Sequence, residues 1–172
     1  MIRVRRPAAA AGTVVFFLVA PGVVGGLIPW WLTGWQADAL EPSWLWLPLR
    51  LVGVLLVVAG AGVLVLAFTR FVAEGAGTPA PVAPTEHLVV GGLYRHVRNP
   101  MYVAVLAVVV GQALILGRLV LVLWAALAGA AMVAFVRGYE EPALTQKYGD
   151  DYVAYRRAVP GWWPRWRARG PG

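Results

Sequence analysis

The sequence predicts an all-α integral membrane protein, a helical bundle of about four transmembrane helices with a polar cap on the cytoplasmic side. Three observations predict it. Apolar residues make up 60% of the 172-residue chain and charged residues only 13%, where soluble domains carry about a quarter charged residues. The stretches 7–37, 51–69, 99–117 and 119–136 contain no Asp, Glu, Lys or Arg, and each has the roughly 17–25 residues a helix needs to cross a bilayer. The net charge of +7 gathers in the segments flanking those stretches, where anionic lipid headgroups attract it. This composition excludes a soluble single-domain enzyme. Nucleic acid is not an expected partner, because the basic residues border apolar runs instead of forming a soluble nucleic-acid fold. The chain has no cysteine, which excludes disulfides, thiolate nucleophiles and Cys-bound zinc or iron–sulfur centres.

The first span is expected over 8–32. It reads as retained, because apolar sequence runs past the length of a signal-peptide core through Val23, Val24, Leu27 and Ile28 to Trp30. Pro21, Gly22, Gly25 and Gly26 are expected to bend or thin it. The connection 33–43 carries Asp38 and Glu41 but no Lys or Arg, whereas positive charge collects at Arg3, Arg5 and Arg6 and over 137–169. The positive-inside rule then places both termini in the cytoplasm, with an even number of crossings. The second span starts at Leu45 or Leu51 and ends at Phe68, with Trp30, Trp31, Trp35, Trp44 and Trp46 as an aromatic belt at the outer interface. Arg50 and Arg118 are outward-side exceptions that can snorkel to the headgroups.

The third and fourth spans form a hairpin turning at Leu116-Gly117-Arg118, each about 27–29 Å long at 1.5 Å per residue. Two stripes of small residues, Ala125, Gly129, Val133 and Ala126, Ala130, Ala134, mark helix-packing faces, as do Gly53, Gly60 and Gly62. The chain thus reads as one membrane domain: two spans in 1–73, a core containing the hairpin in 74–164, and a basic tail in 165–172. Its Arg, Ala, Gly and Val bias points to a GC-rich bacterial genome, and so to a multi-pass protein of a bacterial inner membrane.

Spans of Val, Leu, Ala and Gly offer few reactive groups, so chemistry is expected in the two cytoplasmic segments, 70–99 and 137–172. In the first, three prolines between Gly77 and Pro84 favour an extended path. The residues that follow, 85–102, hold both histidines, His87 and His96, with Arg95, Arg98, Tyr94 and Tyr102. In the second, Pro142 suits the first turn of a new helix with Glu141 at its positive end. Gly149 can stop that helix, and Asp150 can cap another reaching Ala158. Glu140 and Glu141 at the carboxyl end of the fourth span oppose its dipole and call for compensation, by a bound ligand or by Arg137 or Arg156. Lys147, Asp150, Asp151, Arg156 and Arg157 read as solvated helix faces. Tyr152 and Tyr155 lie three apart, as residues packing the tail against the membrane core do. The ending 161–169 mixes Trp with Arg, as interfacial anchors do. Two histidines without a carboxylate cluster predict no metal site.

Read in order, Gly-Gly-Leu-Tyr-Arg-His-Val-Arg-Asn-Pro-Met-Tyr at 91–102, the hairpin, Tyr139-Glu-Glu, and Lys147-Tyr-Gly-x-x-Tyr-x-x-Tyr-x-x-x-Val-Pro160 resemble the isoprenylcysteine carboxyl methyltransferase and phospholipid methyltransferase superfamily of integral membrane enzymes. The resemblance covers about 77–164. It implies a methyltransferase that takes its methyl group from S-adenosylmethionine, bound in the cytoplasmic cap, and gives it to a lipophilic acceptor, small molecule, lipid or lipidated carboxylate, arriving from the bilayer. It implies catalytic roles for Arg98, Asn99 and Glu140, and cofactor contacts from His87, Leu88, Gly91, Gly92, Tyr94, His96, Arg98, Pro100, Tyr102, Glu140 and Glu141.

The inventory suits such a donor. Arg98 or Arg95 can pair with its carboxylate, and Glu140 and Glu141 with its ammonium or ribose hydroxyls. Gly91 and Gly92 allow close backbone approach, Tyr94 or Tyr102 can face the sulfonium, and His87 and His96 can bond to adenine or ribose. One departure stands out: many members have Arg-His-Pro where this chain has Arg98-Asn99-Pro100. Asn cannot titrate, though it still hydrogen-bonds. A carboxylate acceptor needs no base; an amine or hydroxyl acceptor leaves His96 or Glu140 to serve. Two other readings share the architecture: a sterol-type NADPH reductase with a similar hairpin, and a non-catalytic lipid-binding protein of the same fold.

Overall fold

The computed structural model describes residues 19, 21–38, 43–74, 88 and 90–165. The first part of the first span (8–18 and 20), the proline-rich stretch, His87 and the tail beyond 165 lie outside the described residues. The described chain is helical, with no strand. A π-helical turn, Val23–Leu27, leads into α1 (Ile28–Thr33); α2 spans Ser43–Glu74. A 3-10 turn, Gly92–Arg95, precedes the hairpin of α3 (Pro100–Leu116) and α4 (Leu119–Phe135). A second π turn, Val136–Glu140, joins α4 to α5 (Glu141–Tyr148), and α6 (Asp150–Ala158) follows.

Two helical runs, Trp46–Ala67 and Leu119–Tyr148, are long and apolar enough to cross a membrane, and Val23–Thr33 and Pro100–Leu116 are shorter apolar helices. The helix expected at Pro142 is there, with Glu141 and Pro142 in its first turn, and it continues the helical run Leu119–Tyr148 without a break. The π turn carries the helical path through, with the Glu141 N–H donating to Val136 O five residues back, and Pro142, which has no N–H to donate, falls in the first turn of α5. Gly149 ends α5 at φ 55°. It, and not Asp150, holds the cap position of α6, with Asp150 and Asp151 in the first turn, where the helix dipole favours them.

The described residues fall into two compact units. The span unit holds 19, 21–38, 43–66 and 101–132. Within it, small residues make the close contacts: a β-carbon on Gly53 would lie 2.7 Å from the carbonyl oxygen of Gly111, and one on Gly60 2.7 Å from that of Ala104. The large side chains of α2 point the other way, with Leu55 68% and Val58 64% exposed. Small-in and large-out is the pattern of a helix solvated by lipid, where backbones gain by approaching one another and Leu or Val loses nothing by facing out. Gly62, expected at a packing face, has open space around it.

In α4 the buried line is Leu121, Ala125 and Ala128, with Gly129 against Leu106. The second expected stripe, Ala126, Ala130 and Ala134, is exposed. A 3.6-residue period can bury only one narrow stripe in a two-helix contact. The hairpin turns at Gly117, φ 68°. Arg118 there does not stand alone: its guanidinium pairs with Asp38 at 3.0 Å and donates to Gln36 O at 3.1 Å. The expected belt is exposed at Trp30, Trp31, Trp35 and Trp44.

The second unit, the loop-and-tail unit, holds 67–74, 88, 90–100 and 133–165 among the described residues. Its interior is small: Ala67, Val97, Val136, Tyr152 and Val159 are buried, and Glu141 with them, at 8% exposure.

Candidate functional site

In the loop-and-tail unit, the segment before the hairpin is shaped by its glycines and proline. Gly91 is extended and Gly92 takes φ 58° to start the 3-10 turn, a conformation open to glycine at little cost. Pro100 is buried as the first residue of α3 and disfavours a helical Asn99. Residues 98 and 99 are therefore held out of the helix, and their amides are satisfied elsewhere. Arg98 N–H donates to Pro160 O at 2.9 Å and Asn99 N–H to Gly161 O at 3.2 Å. The contact continues outward: Arg165 N–H donates to His96 O at 3.0 Å, and His96 Nδ1 lies 2.8 Å from Arg165 O. The Tyr155 hydroxyl donates to Tyr94 O at 2.8 Å. Gly161 eases the approach, since a β-carbon there would lie a tight 3.1 Å from Arg98 Nη2.

Arg98 is the hub. Its Nε donates to Val159 O at 3.0 Å, and its Nη1 donates to Glu141 Oε1 at 2.8 Å and to the Tyr152 hydroxyl at 3.2 Å. The side chains of Arg98 and Glu141 are only 13% and 10% exposed. The other oxygen of Glu141 receives Arg156 at 3.3 Å, from a side chain 53% exposed. A buried carboxylate is thus bracketed by two guanidiniums, the condition under which it can stay charged away from water. The compensation that the sequence called for at Glu141 comes from Arg156, as one alternative had it, and from Arg98.

Burial raises the Tyr152 phenol above its ordinary 10.0, with the neighbouring carboxylates Glu141 and Glu140 adding to the rise and the Arg98 charge opposing it. Burial likewise pushes the Tyr155 phenol up against the Arg98 charge. Both are neutral hydrogen-bonding phenols at physiological pH.

Beside this hub opens a groove of about 620 Å³ lined by Arg137, Glu141, Pro142, Thr145, Gln146 and Arg156, within the roughly 300–1,000 Å³ typical of small-molecule sites. Two guanidiniums against one carboxylate leave the groove electropositive. One further polar group stands out: Asn99 Nδ2 is buried with no hydrogen-bond partner among the described residues, and a buried donor in that state costs about 1–3 kcal/mol unless a ligand or water takes it.

The structure brings Arg98 and Glu141 into direct contact, with Asn99 beside them along the chain. Glu140 is half-buried in the π turn next to Glu141 and close enough to act on Tyr152. Tyr94 and His96 are tied to the tail by the bonds above. Gly91, Gly92 and Pro100 shape the segment, and Leu88 is half-buried ahead of it. Arg95, the alternative to Arg98, is exposed, and Tyr102 falls in the span unit, half-buried on the first turn of α3. His87 lies outside the described residues. Reasoning from sequence missed Tyr152 and Val159 as partners of Arg98, and Thr145 and Gln146 as groove residues; Arg156 is both of the things the sequence offers, an exposed side chain and an ion-pair partner of Glu141. The repeated Tyr and the Val-Pro of 152–160 were the available signal. No cluster of three or more His, Cys, Asp or Glu able to hold a metal occurs among the described residues.

Residues 49–151 match the model of the phospholipid methyltransferase family, more than half of the chain, and the chain belongs to that family, an integral membrane helical fold. The match includes Arg98, Asn99, Glu140 and Glu141 and stops one residue short of Tyr152. No curated protein matches the chain.

Proposed function

We propose that the protein transfers a methyl group from S-adenosylmethionine to a lipophilic acceptor drawn from the bilayer. The observation that carries this reading is the Arg98–Glu141–Arg156 chain of ion pairs. It ties the segment before the hairpin to the helices after it, beside an electropositive groove and an unpartnered buried amide on Asn99. When bound, S-adenosylmethionine supplies a methyl group on a positively charged sulfur for in-line displacement by the acceptor.

The residues present fit that donor. Arg98 is committed to Glu141, Tyr152 and Val159, so the guanidiniums offered to the donor's carboxylate are Arg156 and Arg137. Glu140 is the carboxylate for its ammonium or ribose hydroxyls, and the Gly91-Gly92 turn lets backbone come close. The Asn99 amide supplies a hydrogen-bond donor without a titrating proton. Arg98 acts through Glu141: it fixes the carboxylate that in turn orients Arg156. With a carboxylate acceptor, positioning and exclusion of water suffice. With an amine or hydroxyl acceptor, His96 is a ready base, because Nδ1 facing Arg165 O favours the tautomer that leaves Nε2 its lone pair.

Calorimetric titration of the detergent-purified protein with S-adenosylhomocysteine and with NADPH tests the reading. Binding of the homocysteine analogue that weakens in Asn99→Ala and Glu140→Gln is expected, together with methyl label from radioactive donor entering organic-extractable material. Preference for NADPH would point to the reductase, and silence toward both ligands to a non-catalytic lipid-binding protein.

A further inference from the structure

We propose that residues 160–165 form a strap that docks on an anionic lipid surface through Trp163, Arg165 and Arg95, and that this docking orders Arg98 and Asn99. Trp163 is 83% exposed. On an unanchored tail that would mean little. Here the tail is fastened on both sides of the indole: Gly161 O accepts the Asn99 amide on one side, and Arg165 is bonded through both its N–H and its C=O to His96 on the other. The flanking Trp163-Pro164 pair is held outward by backbone bonds, and its exposure is a built feature.

The chemistry of the display names its partner. Arg165 is exposed where it meets His96, and exposed Arg95 is the residue before His96, so the bond that fastens the strap after the indole joins two exposed arginines to the same stretch of chain. An indole with neighbouring guanidiniums suits the headgroup level of a bilayer, where the ring is half wet and each cation gains about 1 kcal/mol from anionic lipid. The chain is a membrane protein of net charge +7, so an anionic lipid surface is the available complement.

The consequence reaches the site through backbone. Pro160 and Gly161, at the root of the strap, accept the amides of Arg98 and Asn99. Fixing the strap on lipid restrains those two residues, while releasing it loosens both. None of this depends on which donor or acceptor the groove takes.

The natural chain has no cysteine, so Pro164→Cys gives a single site for a nitroxide on the full-length protein in nanodiscs. Two lipids are compared, phosphatidylcholine alone and phosphatidylcholine with phosphatidylglycerol. With phosphatidylglycerol, the label is expected to collide preferentially with oxygen over a water-soluble nickel chelate. Adding Arg165→Gln lowers the ratio of docked to undocked strap about five-fold. Trp163→Ala abolishes docking and Trp163→Phe retains it, which separates loss of docking from loss of fold. Amide hydrogen exchange at Arg98 and Asn99 slows with phosphatidylglycerol in the unlabelled protein. Three results overturn the proposal: a label equally open to nickel in both lipids, a label shielded from both probes as a second protein copy would shield it, or exchange at Arg98 and Asn99 indifferent to lipid charge.

Discussion

In the span unit backbone comes close to backbone where side chains are absent or small: Gly53 against Gly111 and Gly60 against Ala104. In the loop-and-tail unit they are charge against charge, with Glu141 held between Arg98 and Arg156. The difference follows from solvent. Apolar surface gains little by leaving lipid, so a helix pair there holds together by fit. A small unit of polar helices has few large apolar side chains to bury and is held by a specific network, whose members become unsatisfied together if one is lost. A fold of the first kind tolerates changes that preserve volume, and one of the second kind tolerates changes that preserve hydrogen bonds.

The sharpest way to break the comparison is Arg98→Ala. It leaves Glu141 buried with one partner and strips donors from Val159 O and the Tyr152 hydroxyl, a loss of about 3–5 kcal/mol. The unfolding temperature of the purified protein would fall accordingly, and the proposed methyl transfer would vanish. Arg98→Lys should rescue little, because a point charge cannot span three acceptors that a guanidinium reaches with two nitrogens. A double-mutant cycle with Glu141→Gln reads the coupling directly: if the double variant is no more stable than the sum of the single losses, the hub is not a unit.

The second test is made where fit rules. A β-carbon on Gly111 would lie 2.6 Å from Gly53 O and 3.0 Å from Val57 N, both backbone atoms, so Gly111→Ala must push the helices apart at a cost of about 1–3 kcal/mol. Gly62→Ala, with open space around it, should be neutral or gain about 0.5–1 kcal/mol from the alanine's helix preference. Equal effects at the two positions would show that close approach is not what holds α2 to α3.

How much of this could be read from sequence differs between the units for the same reason. The span unit writes itself in composition: charge-free stretches located α2, α3 and α4, and the turn at Gly117 fell where two such stretches meet. Which small-residue stripe of α4 is buried was not legible, because Ala125 and Ala126 look alike until a partner is present. In the loop-and-tail unit, Arg98 and Glu141 were picked out only through the order of motifs that resembles a family. Their pairing joins residues 43 apart, and no local period encodes such a contact. The continuity of α4 into α5 was also hidden, since proline usually begins a helix, whereas here a π turn before it carries the helical path on.

A third test is smaller at neutral pH and grows with alkali. Tyr155→Phe removes the hydrogen bond to Tyr94 O, about 1 kcal/mol. Burial raises the phenols of Tyr152 and Tyr155 in the folded protein, so folding favours their protonated form. The sign follows: the contribution is complete below the unfolded value of 10.0 and is lost as pH rises beyond it, because the unfolded chain gives up those protons first. Unfolding temperature should therefore fall above about pH 10, less steeply in Tyr155→Phe than in the natural chain. An unchanged alkaline slope would place the titrating groups elsewhere.

An effect of similar size is expected from Gln112, in the second half of α3. Gln112 donates to Gly25 O at 2.6 Å and accepts from Trp35 Nε1 at 3.2 Å, while Trp124 Nε1 donates to Val24 O at 3.0 Å. Both carbonyls belong to the π turn Val23–Leu27, where the regular ladder is disturbed and side chains from other helices supply donors. Gln112→Leu removes these two bonds and a longer one of 3.4 Å to Val108 O in α3 itself, yet fills the same space with carbon that the span unit accepts. Hydrogen bonds between membrane helices average about 0.6 kcal/mol and reach about 1.7, so the loss should stay within that range, well below that of Arg98→Ala. Gln112→Ala should cost more than Gln112→Leu, because it opens a void as well as removing the bonds. If Leu and Ala were equally damaging, the span unit too would depend on hydrogen bonding, and the contrast with the loop-and-tail unit would disappear.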